Sequence, residues 1–232
     1  MLHDVHALLV AAGNGSRFGA QTPKQYLKVA GKTVLEHSID RLMLSQISDV
    51  TVVLADGDDV AKGLSVADKP VFFAVGGSER FLSVRSGILA IRQRGAKDDD
   101  WVLIHDAARP CVPTSDVQRL LDVACQLKKE AGAILATPVA DTLKLVDGDD
   151  IKQTVSRQHL WQAQTPQIFR LADLESMFAA VLKKQVVITD EASGFELLGK
   201  AVKVVSGSKL NLKLTYPEDL AMIGLILAQM DN

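Results

Sequence analysis

Short apolar runs alternate with amphipathic stretches along the first part of the chain. Ala7–Ala12 has the length of a buried strand and stops at Gly13. Val34, Leu35, Ile39, Leu42 and Met43 recur at helical spacing, which predicts a helix over Thr33–Gln46. Further apolar runs predict strands at Val50–Ala55, Val71–Val75, Trp101–Ile104 and Ala133–Thr137. Between them, Phe81, Val84, Ile88 and Ile91 share one face of a helix spanning Glu79–Arg94. A third helix, capped by Thr114-Ser115-Asp116, is expected to reach Lys129. Polar Asp56–Lys69 reads as a loop with a short helix. Strands alternating with helices predict an α/β fold with a mostly parallel sheet, and ligands at the carboxyl ends of its strands.

The pattern then changes. Thr142–Val146 and Ile151–Val155 alternate polar and apolar residues around Asp147-Gly148, which predicts a β-hairpin, an arm of about 139–157 with its flanks. No amphipathic helix follows closely enough to cover it. A two-stranded ribbon alone in water is marginal, so it needs a surface to pack on. Helices at Ala172–Lys184 and Glu191–Leu198, a strand at Val202–Val205 and a last helix from Pro217 complete the expectation.

Length and charge narrow the function classes. The 232 residues suit one α/β domain. A net charge of -2 argues against a surface made for a polyanion, so no nucleic acid partner is expected and any basic site must be local. Cys111 and Cys125 form no pairing or metal motif, which fits a reduced cytoplasm. The start of the chain lacks a basic n-region, and apolar Leu220–Met230 is too short to span a bilayer, so no membrane association is expected.

The densest chemistry lies where the first strand ends. Gly13-Asn14-Gly15-Ser16-Arg17-Phe18-Gly19 can turn backbone N–H groups onto one point, as phosphate cradles do, and Arg17 and Lys24 can neutralise the same polyphosphate. It is not a Walker loop, since Ala20 and Gln21 follow Gly19 where Lys-Ser/Thr is required. Nor is it a dinucleotide fingerprint, since Phe18 stands where the third glycine belongs. His105-Asp106-Ala107-Ala108-Arg109 puts an acid and a cation at a strand's carboxyl end, either as a ligand pocket or as a structural Asp106–Arg109 pair. Gly76-Gly77-Ser78-Glu79-Arg80, with Ser83, could face a base or ribose, or could simply be a helix start capped by Ser78. Thr165-Pro166-Gln167, Thr189-Asp190-Glu191-Ala192 and Lys213 are weaker signals. Thr189 is also a plausible N-cap, Lys213 also fits the solvent face of a strand, and Arg157 also fits plain surface charge.

Eight pieces in order carry a resemblance along the whole chain: AAGNGSRFG, PKQYL, GGSERFLSV, VLIHDAARP, TPVADTLK, LWQAQTPQIF, TDEAS and NLKLTYPEDL. Together they resemble the 2-C-methyl-D-erythritol 4-phosphate cytidylyltransferase family. The resemblance implies a Rossmann-like nucleotidyltransferase fold, a homodimer paired through the β-arm, CTP and a polyol phosphate as substrates, and magnesium or another divalent cation held mainly by the CTP phosphates. It implies that Arg17 and Lys24 steady the triphosphate, and that Ala11, Ala12, Gly13, Gly15, Gly77, Ser78 and Ser83 hold the nucleotide. Asp106, Arg109, Lys213, Thr142, Thr165 and Thr189 would surround the polyol phosphate, and Arg157 would reach its phosphate from the partner subunit. Ser78, where a more acidic residue is common, and Ala140, where an arginine is common, depart from the family's pattern. Two rivals remain: cytidylyl transfer to ribitol 5-phosphate, which resembles this family in the same loops, and an idle nucleotide-binding protein. Convergent cations at Arg17, Lys24 and Lys213 argue against idleness. Attack of one phosphate on another needs little acid–base help because the nucleophile is already an anion, so cations should do most of the work.

Overall fold

The computed structural model describes residues 3–13, 22–64 and 69–230. In chain order its strands are β1 (Val5–Val10), β2 (Lys28–Val29), β3 (Lys32–Thr33), β4 (Ile47–Leu54), β5 (Val71–Val75), β6 (Trp101–Asp106), β7 (Gly132–Pro138), β8 (Leu143–Asp147), β9 (Asp150–Val155), β10 (Trp161–Arg170) and β11 (Val202–Ser206). Its helices are α1 (Val34–Asp40), α2 (Arg80–Gln93), α3 (Thr114–Ala124), α4 (Leu171–Lys184), α5 (Glu191–Glu196) and α6 (Asp219–Met230).

Seven strands make one sheet in the order β11-β7-β10-β6-β1-β4-β5. β1 lies parallel to both β4 and β6, and β5 extends the parallel set at one edge. β10 runs antiparallel to β6 and to β7, and β11 closes the other edge parallel to β7. Successive side chains of β1 explain the two-sided core. Ala7 and Leu9 pack with Leu35, Ile39, Val117 and Leu120 of α1 and α3, while Leu8 packs with Val84 and Ile88 of α2 and with the cluster under α4 and α5. Helices on both faces are why these strands read as continuous apolar runs. Burying each such Leu, Ile or Val is worth about 1.5–3 kcal/mol. At Gly87 an added Cβ would lie 2.2 Å from Leu8 Cδ1, so α2 sits directly on β1 and its first turn is carried to the strand ends. α6 caps the end of the molecule through Ile223 and Leu227 against Val34, Cys111 and Leu214.

The structure moves several boundaries. The first helix has the expected start, with a capping box in which Thr33 Oγ1 accepts from Glu36 N and the Glu36 carboxylate accepts from Thr33 N. It ends at Asp40 rather than Gln46, because the chain already turns into β4 at Ile47. β6 continues beyond Ile104 because His105 and Asp106 still pair with Leu9 and Val10. Pro113, not a Thr114-Ser115-Asp116 side chain, occupies the N-cap of α3, which stops at Ala124. β10 was not anticipated; its buried Gln164, Thr165 and Gln167 broke the apolar pattern that marks a central strand. Asn211–Thr215 is not a strand; it crosses over the site, held by Leu214 N donating to Ala108 O at 2.8 Å. The last helix begins at Asp219, two residues after Pro217, with the Asp219 carboxylate accepting from Thr215 N and Tyr216 N.

β8 and β9 form the expected hairpin as a sheet of their own, with Gly148 at φ 57° in the two-residue turn between Asp147 and Asp150. Leu145, Val146 and Ile151 on it are more than half exposed, at 52%, 54% and 63%.

Candidate active site

The carboxyl ends of β1, β4, β5 and β6 open into a cleft of about 820 Å³. Val10–Gly13, Lys24, Gly76–Arg80, Ser83, Asp106–Ala108, Lys213 and Thr215 line it. That is where an open parallel sheet places its ligands.

One wall is the turn from β5 into α2. Gly76 N donates to Leu54 O at 2.7 Å, and a Cβ at Gly76 would meet Ala12 Cβ at 2.5 Å, so glycine is required for this approach. Ser83 Oγ accepts from Gly77 N at 3.1 Å and also lies 3.1 Å from Glu79 O, pinning the turn from inside the helix. Glu79 is the N-cap of α2 and makes no side-chain cap bond, so Ser78 lines the cleft rather than capping the helix.

The opposite wall carries Lys24, at the start of a 3-10 turn over Lys24–Tyr26. Its Nζ donates to Leu214 O at 3.0 Å. Buried Gln25 donates to Ala11 O at 3.0 Å, and Tyr26 donates to Asp58 Oδ2 at 2.6 Å. These bonds tie the turn to the end of β1, to the loop after β4 and to the crossing segment around Leu214.

The floor is electrostatic. Asp106 accepts from Arg80 Nε at 3.0 Å on one oxygen and from Lys213 Nζ at 2.7 Å on the other. Burial alone would raise its carboxyl, but the Arg80 and Lys213 charges outweigh it and hold the group far below the usual carboxylate range. Arg80 also grips Glu191 with both remaining nitrogens, Nη1 to Oε1 at 2.8 Å and Nη2 to Oε2 at 3.2 Å. Behind Asp106, Thr165 Oγ1 accepts from Asp106 N at 3.0 Å and lies 3.0 Å from His105 Nδ1, while His105 Nε2 lies 3.1 Å from Arg109 O. These contacts fit a neutral ring that accepts at Nδ1 from the threonine and donates at Nε2 to the carbonyl. Burial pushes the His105 imidazole down to about 4, so it stays neutral near pH 7.

The cleft thus brings together Ala11, Ala12, Gly13, Lys24, Gly77, Ser78, Ser83, Asp106 and Lys213. Thr165 lies buried directly beneath Asp106. The structural alternative, an Asp106–Arg109 pair, is not the one formed: the ion pairs of Asp106 are to Arg80 and Lys213, and Arg109 Nη1 donates to Asn211 O at 2.7 Å. Lys213 is no plain solvent-facing lysine. Thr142, Arg157 and Thr189 are exposed and outside the cleft lining. Asp190 rather than Thr189 caps α5, through a reciprocal pair with Ser193. Arg17 and Gly15 lie outside the described residues. Sequence reasoning missed the roles of Arg80 and Glu191. Both stood in quoted pieces, GGSERFLSV and TDEAS, but nothing local in either piece points to a partner so distant in sequence.

Among the described residues no three His, Cys, Asp or Glu side chains converge as a metal cage. The cleft is lined by three carboxylates, Asp56, Glu79 and Asp106, that form no metal cage, and each Asp106 oxygen already accepts from a cation. That donor set fits a divalent cation carried in on phosphate oxygens, with a carboxylate at its side. No helix among the described residues is long and apolar enough to cross a membrane.

The family model described as 2-C-methyl-D-erythritol 4-phosphate cytidylyltransferase matches residues 5–229. Proteins of that name from Vibrio parahaemolyticus and Photobacterium profundum are similar to this chain. The first is 45% identical over 226 residues, 96% of this chain and 95% of its own. The second is 44% identical over 237 residues, 99% of each. A crystal structure of 4-diphosphocytidyl-2C-methyl-D-erythritol synthase matches with a TM-score of 0.84 at 37% identity, covering 97% of this chain and 99% of that one. The 2-C-methyl-D-erythritol 4-phosphate cytidylyltransferase of Thermus thermophilus matches with a TM-score of 0.80 at 31% identity, covering 98% of this chain and 100% of that one.

Proposed function

Since the chain belongs to the 2-C-methyl-D-erythritol 4-phosphate cytidylyltransferase family, we propose that the cleft is where its two substrates meet. The enzyme transfers a cytidylyl group from CTP to 2-C-methyl-D-erythritol 4-phosphate in isoprenoid precursor synthesis. An oxygen of the acceptor's phosphate bonds to the α-phosphorus of CTP as the bond from that phosphorus to the bridging oxygen breaks. Pyrophosphate leaves with that electron pair, and 4-diphosphocytidyl-2-C-methyl-D-erythritol remains. The observation that carries the site assignment is the convergence of Lys24 and Lys213 on a cleft at the carboxyl ends of parallel strands.

The lining of the cleft, together with the family resemblance, supports the following division of work. The nucleotide lies along Ala11–Gly13, Gly77 and Ser78, where the backbone is open to close approach, and Ser83 holds that wall in shape. Lys24 draws the triphosphate in and offsets the charge that grows at the α-phosphorus, a role that the family resemblance gives to Arg17 as well. Lys213 brings the acceptor's phosphate against it, offsetting the repulsion between two anions. Asp106, held ionised, accepts from acceptor hydroxyls, with Thr165 supporting it from beneath; the roles of Arg109, Thr142 and Thr189 at that end rest on the family resemblance alone. Magnesium or another divalent cation, bound mainly by the phosphates beside Asp106 or Asp56, would further neutralise the leaving pyrophosphate.

The whole chain works as one catalytic domain with the β8–β9 arm as its appendage. The arm pairs two copies and delivers Arg157 to the acceptor phosphate in the neighbour's cleft. Its exposed Leu145, Val146 and Ile151, and the position of Arg157 away from its own cleft, support this reading. Such a dimer would work in the cytoplasm. Pyrophosphate release with CTP and magnesium, measured separately with 2-C-methyl-D-erythritol 4-phosphate and ribitol 5-phosphate, is the test. Turnover with the first and background with the second is expected, as is a wide preference over ATP because a purine overfills the wall at Gly76-Gly77. Equal turnover with both acceptors, or none with either, would contradict the assignment.

A further inference from the structure

Glu191 is fully buried, far along the sequence from Asp106, and its carboxylate is hydrogen-bonded by the Arg80 fork. A buried carboxylate needs a partner, and a guanidinium fork is the strongest one available. Here the fork has a second task. Its third nitrogen, Nε, holds one oxygen of Asp106, while Lys213 holds the other. Arg80 at the start of α2 therefore joins the start of α5 to the end of β6, and through Asp106 to Lys213. The start of α5 is itself fixed independently: Gln167 of β10 donates to Asp190 Oδ2 at 2.8 Å and accepts from Ala192 N at 3.2 Å.

We propose that Glu191, acting through Arg80, is a positioning residue that sets the orientation of the Asp106 carboxylate and so the place of the Lys213 ammonium. Resting on the function proposed above, it assigns these two residues to the acceptor side of the reaction. With Glu191 ionised, the fork is satisfied and meets Asp106 with a single N–H. Lys213 then keeps one carboxylate oxygen to itself. Without the Glu191 charge, the fork is free to take both Asp106 oxygens in the bidentate manner that guanidinium prefers, displacing Lys213. The predicted defect is therefore specific. Acceptor recognition fails while the CTP side, built from β1 and the glycine turn, stays intact.

The experiment is a kinetic double-mutant cycle on the full-length enzyme, with Glu191→Gln, Asp106→Asn and the double variant. Rates are normalised to the CTP-binding fraction measured by calorimetry. Glu191→Gln is expected to lower kcat/KM for 2-C-methyl-D-erythritol 4-phosphate about 10- to 100-fold. KM for CTP should stay within about twofold, and most of the loss should vanish in the Asp106→Asn background, because the two residues act as one unit. A role confined to stability would lower the active fraction, leave both KM values unchanged and show no coupling; that outcome overturns the proposal. Arg80→Lys keeps the charge but loses the fork, and it carries the same cycle should Glu191→Gln not fold. Asp106→Asn impaired beside an unimpaired Glu191→Gln overturns the proposal alone. Asp106→Asn with wild-type kinetics overturns the proposed role of Asp106 as well.

Discussion

The cleft floor and the β8–β9 hairpin treat their side chains in opposite ways. On the floor, Asp106, His105, Thr165 and Glu191 are buried, and each is held by named partners within the same chain. On the hairpin, Leu145, Val146 and Ile151 stand more than half exposed on a two-stranded sheet that pairs with no other strand among the described residues. The floor needs nothing beyond its own chain to be organised. The proposed dimer would give these exposed apolar side chains a surface to pack on. The reaction proposed here draws on both, with charge fixed by one chain and completed by the arm of another.

The largest effect should come from the cleft. Lys24→Ala should lower kcat about 100- to 1000-fold at saturating CTP and magnesium, with the melting temperature barely changed, since the side chain fills no core. Arg17→Ala should behave alike. Near-wild-type kcat in the Lys24 variant would remove it from the chemistry. On the hairpin, Ile151→Asp should weaken the dimer at least about 10- to 100-fold, because one buried isoleucine is worth about 1.5–3 kcal/mol at such an interface. Sedimentation velocity should then show monomers with intact CTP binding and lost turnover; a variant that stays dimeric would sink the arm as the interface.

Beneath the floor the effect is smaller and falls on stability. Thr165→Val keeps the shape but leaves Asp106 N without its acceptor, which should cost about 1–3 kcal/mol in denaturant unfolding. No change would mean the Asp106 backbone is held by other contacts. The smallest effect lies at the far end of the strands, where His6 Nδ1 meets Asp49 Oδ2 at 2.7 Å. Burial lowers the His6 imidazole, but Asp49 and Asp100 together outweigh it, so its folded pKa is raised above 6.5. The protonated pair thus adds stability that is fully present below pH 6.5 and lost as pH rises through the folded pKa. His6→Gln should accordingly lower the melting temperature more at pH 5.5 than at pH 9; a pH-independent difference would show that the charge does not matter.

Much of this was readable before the structure, for physical reasons that differ by region. Buried parallel strands such as β1 and β6 announce themselves as uninterrupted apolar runs, and the hairpin by its alternation around Gly148. β10 escaped notice because it is central yet carries Gln164, Thr165 and Gln167 inward, where they hold Ser208, Asp106 and α5 by hydrogen bonds. Its polarity serves these hydrogen bonds and disguises its burial. In the cleft, Lys24, Gly77 and Asp106 stood out because glycine turns and charges at strand ends have a local meaning. Arg80 and Glu191 did not, since a salt bridge between residues 80 and 191 leaves no local pattern. The same holds for the pairing of Asp106 with Lys213 instead of with the neighbouring Arg109.

The central claim is that a cleft organised by one chain is completed by the arm of another. Lys24→Ala and Arg157→Ala, each inactive alone, are co-expressed in equal amounts and mixed dimers are confirmed by differential tagging. If Arg157 acts across the interface, every mixed dimer holds one doubly defective site and one intact site. With random pairing about half the dimers are mixed, so roughly a quarter of wild-type activity should return. If Arg157 acts within its own chain, no site escapes a defect, and activity that stays at the level of the separate variants contradicts the account.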